Sequence, residues 1–166
     1  MSYRYVQPNP SKRGMDMYCE NGKQFGKNDF DVGSFSTHAV WDADALHIIP
    51  EGLKSEYAAP LMCGGATAWA PLSLYNVRPS DRVGVIGIGG LGHLAIQFAS
   101  KMGCEVVAFS GTESKREEAL KLGAKEFYAT QGVTEFKGIK KLNHLLITTS
   151  AQPDYKLYIL HDSINL

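Results

Sequence analysis

The sequence predicts an α/β fold built around a doubly wound, parallel β-sheet. Three observations support this prediction. Short apolar runs rich in β-branched residues recur along the second half of the chain, segments of helical character separate them, and a glycine-rich turn follows the first run. Such runs are typical of strands buried on both faces, because helices cover both sides of a parallel sheet.

Composition excludes several classes of protein. The chain has 166 residues, 44% of them hydrophobic, which is enough for one substantial core. Its 17 basic residues balance 17 acidic residues, so charge does not favour a nucleic-acid partner. No apolar run reaches membrane-spanning length and the first residues lack a signal-peptide core, which predicts a cytoplasmic protein without a membrane partner. Three widely spaced cysteines argue against a disulfide framework.

The first part of the chain has weak structural signals. Residues 1–28 are polar and punctuated by proline and glycine, which predicts a loop or disorder. Two short runs, Phe35–Trp41 and Ala45–Ile49, predict a pair of strands joined by a turn at Asp42–Asp44. The histidine in each run is interpreted as structural or exposed rather than catalytic.

From Ser55 the pattern changes to two helical pieces. They are predicted over Glu56–Cys63 and Gly64–Leu72, with a glycine joint between them and Ser55 as the N-cap of the first. Small residues at the joint leave room for a bulky group. On its chemistry alone, Cys63 fits a buried small hydrophobic residue better than a ligand or nucleophile.

A glycine motif follows the first predicted strand, Arg82–Ile86. Gly87–Gly92 matches G-x-G-x-x-G, and His93–Met102 has the pattern of a helix packed on a sheet. The first glycine allows a sharp turn, the second admits a pyrophosphate and the third permits close packing. Strand, turn and helix in this order indicate a bound nucleotide whose phosphates face the helix N-terminus. A turn that merely packs and the nucleotide loop of a methyltransferase remain alternatives.

The remaining elements continue the alternation. Glu105–Ser110 is predicted as the second strand, and Ser114–Leu122 as an amphipathic helix that ends at Gly123. Glu126–Ala129 and Asn143–Thr149 are predicted as the third and fourth strands. We expect the last of these to be an exposed apolar edge.

The end of the second strand indicates which dinucleotide is bound. A carboxylate there favours the ribose hydroxyls of NAD, whereas hydroxyl and basic groups favour a 2′-phosphate. The strand ends in Ser110, and the segment 110–116 supplies further hydroxyls and two cations, with Glu113 as the discordant residue. This favours NADP(H) over NAD, and it disfavours S-adenosylmethionine, which carries no phosphate. In the alternative interpretation, Ser114 caps a helix and the two cations are solvated.

Four motifs together resemble a known family. They are MCGGATAW, VGVIGIGGLGHLAIQFASKMG, SGTESKREEALKLGA and LLITTSAQPD. They resemble the zinc-dependent medium-chain alcohol dehydrogenases, in the cinnamyl-alcohol-dehydrogenase-like branch that prefers NADP(H), from about Gly33 to Tyr158. The resemblance implies reversible reduction of aldehydes to primary alcohols by hydride transfer from NADPH, with a catalytic Zn²⁺ polarising the carbonyl.

The resemblance also implies roles for single residues. Cys63 is similar to the last protein ligand of the catalytic zinc, and Thr67 to a threonine against the nicotinamide. The glycine loop would hold the pyrophosphate, the loop after the second strand the 2′-phosphate, and Thr148 would line the cofactor trough. His93 is given no chemical role. The implied cofactor-binding residues are Thr67, Gly87, Ile88, Gly89, Gly90, Leu91, Gly92, Ser110, Thr112, Lys115 and Thr148.

The chain departs from the family pattern in ways that limit these expectations. An earlier zinc-ligand cysteine, a Gly-His-Glu motif, a proton-relay hydroxyl and a four-cysteine zinc lobe are missing, so no catalytic residue is retained beyond Cys63. Catalytic zinc needs three protein ligands, and we expect that this chain alone does not hold it. After about Tyr158 the sequence leaves the family.

The expected organisation follows from the resemblance. Residues 1–32 would be irregular, 33–72 a remnant of a GroES-like catalytic domain with linking helices, and 73–166 a partial Rossmann domain containing the first four strands. We expect the chain to retain mainly NADP(H) binding, with an aldehyde or alcohol as the family's substrate. The alternative is a catalytically inactive NADP(H)-binding or partner-interaction module that pairs with a full-length relative.

Overall fold

The computed structural model describes residues 26–27, 30, 35–41, 43, 46–136 and 138–159. The chain divides into two compact units, residues 1–48 and 49–166. The irregular segment predicted over residues 1–28 lies mostly outside the described residues, and the three-part division drawn from the sequence stays a prediction.

The two strands predicted over 35–41 and 45–49 are wrong in the residues that the structure describes. Residues 35–41 and 46–49 are irregular, and their apolar side chains are exposed except for the half-buried Trp41, with Phe35 at 104% and Ile48 at 96%. A two-stranded ribbon is marginal in water unless a third strand or a packed helix covers its apolar face. The described residues of the first unit form no such element.

The two predicted helical pieces are confirmed. Helix α1 spans Ser55–Ala58, a 3-10 turn spans Ala59–Met62, and helix α2 spans Gly64–Leu74, with Cys63 at the joint. The prediction of Ser55 as the N-cap is wrong: Lys54 has the extended N-cap conformation, no side chain caps the helix, and Ser55 is its first residue. A Cβ at Gly65 would lie 3.0 Å from the Leu61 Cβ, so the joint packs closely.

Four parallel strands form one sheet in the order β3-β2-β1-β4. The strands are β1 (Arg82–Ile86), β2 (Glu105–Ser110), β3 (Glu126–Ala129) and β4 (His144–Ile147), and the helices are α3 (Gly90–Lys101), α4 (Arg116–Leu122, after a 3-10 turn at Glu113–Lys115) and α5 (Lys156–Ile159). The predicted α/β class and the bounds of β1, β2 and β3 are confirmed. The chain adds β2 and β3 on one side of β1 and then returns to place β4 on the other, as in a doubly wound sheet.

Both faces of the sheet are buried, which is why its strands are continuously apolar. All five residues of β1 are buried. On one face Val83, Val85 and Ile96 belong to the main core. On the other face Phe109 packs against aromatic rings of the later part of the chain: Phe136 at 5.4 Å and Tyr158 at 5.2 Å between ring centroids. The sheet is thereby held between two apolar layers.

The amino ends of the strands are joined by an ion-pair network. The Nη1 of Arg82, a residue only 9% exposed, donates to Glu105 at 3.0 Å and to Glu126 at 2.7 Å. The hydrogen bond from Arg82 lowers the pKa of Glu126 below its ordinary value. The network links β1, β2 and β3 at the edge away from the glycine loop. At the open side of the described sheet, β4 ends in Ile147, which is 42% exposed, as predicted for an apolar edge.

A helix must be both long and apolar to span the hydrocarbon core of a bilayer. None of the helices that the structure describes is long and apolar enough to do so.

Candidate functional site

The loops that follow β1, β2 and β4 meet at the carboxyl edge of the sheet. The Gly87 N–H donates to the Phe109 carbonyl at 2.8 Å, and the Thr148 N–H donates to the Ile86 carbonyl at 2.9 Å. Because β1 lies between its neighbours β2 and β4, its loop touches both of theirs. In doubly wound sheets ligands bind at this edge, where the strand order reverses.

The first and last glycines of the loop are required by backbone geometry. Gly87 has a φ of +91°, a left-handed conformation that side chains disfavour. A Cβ at Gly92 would lie 1.9 Å from the Gly87 carbonyl oxygen, so only a glycine lets the helix start so close to the loop. The sharp turn and the close packing expected of these two positions are confirmed.

The middle glycines instead face open space. A Cβ at Gly89 or Gly90 would meet no atom within 4 Å, and both residues are exposed. The loop is therefore tight on the protein side and open on the other, which is the shape that a pyrophosphate needs for close backbone approach.

Helix α3 begins at Gly90, one turn earlier than the predicted His93. Its N-cap residue, Gly89, provides no side-chain cap, although the first N–H groups of a helix have no partner within it. The N–H groups of Gly90 and Leu91 therefore lie at the open side of the loop, whereas Gly92 is buried. Uncapped N–H groups and the positive end of a twelve-residue helix form an anion-binding site.

Thr148 fixes the loop from the β4 side. Its hydroxyl oxygen lies 2.9 Å from the carbonyl oxygens of both Ile86 and Gly87, so its single proton is donated to one of them or shared between the two. A Cβ at Gly92 would lie 2.8 Å from the same oxygen. Thr148 thus ties the end of β4 to the glycine turn, and its role in lining a cofactor trough stays a prediction.

The loop after β2 carries the predicted 2′-phosphate residues. Ser110 is half-buried at the strand end, and the exposed Thr112 lies with its hydroxyl 2.8 Å from that of Ser114. Lys115 is half-buried, and its ammonium group donates to the Ile88 carbonyl inside the glycine loop. The interpretation in which Ser114 caps a helix and Lys115 is merely solvated is wrong, because no side chain caps either helical segment and Lys115 contacts the loop.

The discordant residue of this loop, Glu113, is paired. Its carboxylate accepts a hydrogen bond from the Nε of Arg116, three residues later. The Arg116 guanidinium also lies over the ring of Phe127, 4.9 Å from its centroid. The sequence spacing could have indicated this pair, since residues three apart on a helix are neighbours.

A cavity of about 640 Å³ opens beside the glycine loop. Its volume is in the range of small-molecule and cofactor sites. Helix α1 and the 3-10 turn after it, the start of α2, the first turns of α3 and the segment after β4 line it, and it is widely open to solvent. Its lining residues are Glu56, Tyr57, Pro60, Leu61, Gly64, Gly90, Leu91, His93, Leu94, Thr148 and Ser150.

The cavity brings three predicted residues together and adds polar residues that sequence reasoning missed. Gly90, Leu91 and Thr148 belong to the predicted cofactor set. Glu56, on helix α1, and Ser150, within the last of the four motifs, are not among the predicted site residues, because nothing in the sequence shows that they line one cavity. His93 was assigned no chemistry, yet it lines the cavity with its Nδ1 3.2 Å from the Gly89 carbonyl oxygen.

Cys63 and Thr67 lie on the exposed side of the joint. Cys63 is an exposed free thiol, so the interpretation as a buried hydrophobic residue is wrong. The Thr67 N–H donates to the Cys63 carbonyl at 2.8 Å, and the Thr67 side chain is exposed. Within the described ranges, no three His, Cys, Asp or Glu side chains cluster in a way that could hold a metal ion. These residues therefore do not fit a zinc ion by themselves, and the zinc-ligand role of Cys63 stays a prediction.

Known proteins are similar to this chain in sequence and in fold. Residues 90–159 match the family model described as zinc-binding dehydrogenase. NADP-dependent alcohol dehydrogenase C of Mycobacterium bovis is 35% identical over 158 residues, which cover 91% of this chain and 46% of the relative. Cinnamyl alcohol dehydrogenase 8 of Arabidopsis thaliana is 34% identical over 146 residues, which cover 83% of this chain and 41% of the relative.

A solved structure agrees with these relatives. The crystal structure of CAD from Helicobacter pylori complexed with NADP(H) has a TM-score of 0.78 and 28% identity, covering 95% of this chain and 46% of the other. The chain thus spans less than half the length of each of these proteins. Its glycine loop, its parallel sheet and these similarities agree with the motifs read from the sequence: the chain belongs to the family of zinc-type alcohol dehydrogenases.

Proposed function

We propose that this chain forms the NADP(H)-binding part of an alcohol dehydrogenase that interconverts aldehydes and primary alcohols. The observation that carries the proposal is the glycine loop, closed by backbone contact at Gly87 and Gly92 and open at Gly89 and Gly90. An uncapped helix N-terminus faces that opening. This arrangement fits the pyrophosphate of a dinucleotide.

The cofactor is assigned as NADP(H) rather than NAD on the chemistry of the loop after β2. Hydroxyls at Ser110 and Thr112 and the ammonium group of Lys115 would bind the 2′-phosphate. Lys115 already lies against the glycine loop through the Ile88 carbonyl, so its charge is held between the two phosphate sites. A cation at that position favours a phosphorylated ribose.

The chain's own residues bind and orient the cofactor. When bound, NADPH supplies a hydride to an aldehyde carbonyl. The glycine loop and the N-terminus of α3 hold the pyrophosphate, while Thr148 keeps the loop in place from β4. Thr67 is proposed to contact the nicotinamide end and Cys63 to be a zinc ligand. The described residues do not complete the ligand set of a zinc ion.

Titration of the purified chain with NADPH and with NADH, following nicotinamide fluorescence, tests the proposal. Saturable binding with tighter NADPH affinity supports it. Equal affinity for the two dinucleotides contradicts the assignment of the 2′-phosphate site, and binding of S-adenosylmethionine in place of NADPH supports the methyltransferase alternative.

Zinc content and aldehyde reduction, measured on the same sample, separate the enzyme from an inactive cofactor-binding module. Stoichiometric zinc together with NADPH-dependent aldehyde reduction supports an active dehydrogenase. NADPH binding without zinc or turnover supports the inactive module that the sequence left as the alternative.

A further inference from the structure

The pair formed by Glu113 and Arg116 lies in the loop where the 2′-phosphate is proposed to bind. Glu113 follows Thr112 directly, and its carboxylate accepts a hydrogen bond from Arg116. The two side chains are 60% and 44% exposed. An exposed ion pair contributes little to the free energy of unfolding, so a contribution to stability does not explain this pair.

The Arg116 side chain is held on two sides. Its guanidinium lies over the ring of Phe127, a core residue that is 3% exposed, at 4.9 Å from the ring centroid. Its Nε donates a hydrogen bond to the Glu113 carboxylate. A guanidinium stacked on a fixed ring has less freedom than one in solvent. The hydrogen bond to Glu113 raises the pKa of Arg116 above its ordinary value, in agreement with a close contact.

Glu113 is close enough to the phosphate-binding residues for its charge to matter. It lies three residues after Ser110, a separation that an extended chain spans in about 10 Å. That distance is roughly one Debye length at physiological salt, so a bare carboxylate there still repels a dianionic phosphate. A free carboxylate in this loop also suits the ribose hydroxyls of NAD.

We propose that Arg116 sets the coenzyme preference by neutralising Glu113. With the pair formed, its net charge is zero and Lys115 is left as the cation that faces the glycine loop. Arg116 thus acts through Glu113 and is a positioning residue, not a ligand of the phosphate. The inference rests on the proposed function, because it concerns the affinity for NADPH relative to NADH.

The test compares three variants with the wild-type chain by fluorescence titration with NADPH and NADH. In R116Q the carboxylate is released, and we expect NADPH affinity to fall about three- to tenfold while NADH affinity is unchanged or higher. K121Q removes an equal charge from the same helix without touching Glu113, and less than about a twofold change is expected. In E113Q/R116Q both charges are absent, and NADPH affinity should return to within about twofold of the wild type.

The double variant separates this inference from direct phosphate binding by Arg116. If E113Q/R116Q binds NADPH as weakly as R116Q does, Arg116 contacts the phosphate itself and the inference is overturned. It is equally overturned if R116Q and wild type have the same ratio of NADPH to NADH affinity. Wild-type titration comes first: a wild-type chain that binds neither dinucleotide overturns the proposed function, which is a distinct result.

Salt and folding controls complete the design. Since the pair is exposed, the effect of R116Q should shrink as ionic strength rises. Thermal unfolding of all variants should match that of the wild type, because an exposed pair adds little stability. A difference in NADPH affinity that persists unchanged at high salt contradicts the electrostatic origin proposed here.

Discussion

The loops after β1 and β2 lie at the same edge of the sheet but differ in what their residues contact. In the first, backbone atoms touch backbone atoms: the Gly92 position is closed by the Gly87 carbonyl oxygen, which would lie only 1.9 Å from a Cβ there. In the second, Ser110, Thr112 and Lys115 present side chains that are exposed or half-buried. In the proposed function, backbone geometry shapes the first loop for the pyrophosphate, whereas side chains of the second loop would bind the 2′-phosphate.

This difference predicts how each loop responds to substitution. A change at the closed position of the glycine loop, Gly92, disturbs the packing of α3 on β1, so binding and stability fall together. A change in the loop after β2 alters exposed or half-buried groups, so the choice of cofactor changes while the fold persists. Substitutions in each region test whether that separation holds.

The largest effect is expected for Gly92→Ala. Its methyl group overlaps the Gly87 carbonyl and also lies 2.8 Å from the Thr148 hydroxyl oxygen, and backbone cannot move aside as a flexible side chain does. We expect the free energy of unfolding to fall by about 1–3 kcal/mol and NADPH binding to be lost. Urea unfolding measures the change in stability, and fluorescence titration measures the loss of NADPH binding.

Gly90→Ala is the matched control for that variant. It adds the same methyl group within the same helical turn, where no atom lies within 4 Å. Because alanine is the better helix former, we expect unchanged or slightly higher stability, by up to about 1 kcal/mol. NADPH should bind more weakly, since the methyl group occupies the open side. Equal destabilisation by both variants would remove the distinction between closed and open glycines.

Lys115→Gln tests the proposed 2′-phosphate site in the loop after β2. The variant loses the ammonium group that faces the glycine loop. A hydrogen bond from an ammonium group to a phosphate is stronger than one from a neutral amide, because both partners are charged. We expect about a tenfold loss of NADPH affinity, with NADH affinity changed by less than about twofold. Isothermal titration with both dinucleotides measures this. A parallel loss for NADH would show that Lys115 supports the glycine loop rather than reading the phosphate.

Thr148→Val tests the contact between the segment after β4 and the glycine loop. Valine keeps the shape of threonine but removes the hydroxyl whose proton is donated to the Ile86 or Gly87 carbonyl or shared between the two. We expect a loss of about 1 kcal/mol in the free energy of unfolding and a small decrease in NADPH affinity. Thr149→Val is the neighbouring control, and an equal effect there would argue against a special role for Thr148.

The smallest effect is expected at the opposite edge of the sheet, where binding should not respond at all. Arg82 lowers the pKa of Glu126 from its ordinary value of 4.5, so the ionised carboxylate is favoured by folding. The resulting stability is present above that value and is lost as the pH falls through the lowered pKa. We expect a loss of about 1 kcal/mol or less below about pH 5.

Glu126→Gln should flatten this part of the pH profile and leave NADPH affinity at neutral pH unchanged. Glu117→Gln, on the exposed start of α4, is the control for loss of a carboxylate. Unfolding followed by circular dichroism from pH 3 to pH 7 gives the profile. A flat wild-type profile would contradict the contribution of the Arg82 network.

Local patterns predicted the buried strands well. The bounds of β1, β2 and β3 match, because strands covered on both faces are apolar from end to end. The start of α3 was predicted too late: the motif places Gly90 and Gly92 in a loop, whereas both lie in the first helical turn, where Gly92 packs closely on Gly87 and Gly90 faces open space. β4 ends at Ile147, although the Thr148 N–H still donates to the Ile86 carbonyl and the Thr148 hydroxyl contacts the glycine turn.

The site was predicted less completely than the fold. The motif located the glycine loop, but contacts between distant segments, such as Lys115 with Ile88, depend on how the loops after β1 and β2 meet. The cavity-lining Glu56 and Ser150 have no local pattern that distinguishes them from solvated residues. The strands predicted near Phe35 were wrong because alternation alone does not supply a partner surface.

The return of the chain to β4 has a consequence for the order in which the sheet assembles. β1 meets β2 across 23 residues at Arg82 and Glu105, whereas Thr148 reaches Ile86 across 62. Closing the longer segment costs about 0.9 kcal/mol more chain entropy. We therefore expect β4 to join after β1, β2 and β3 have paired, so the contacts that clamp the glycine turn are the last that the folding chain gains and the first that it loses.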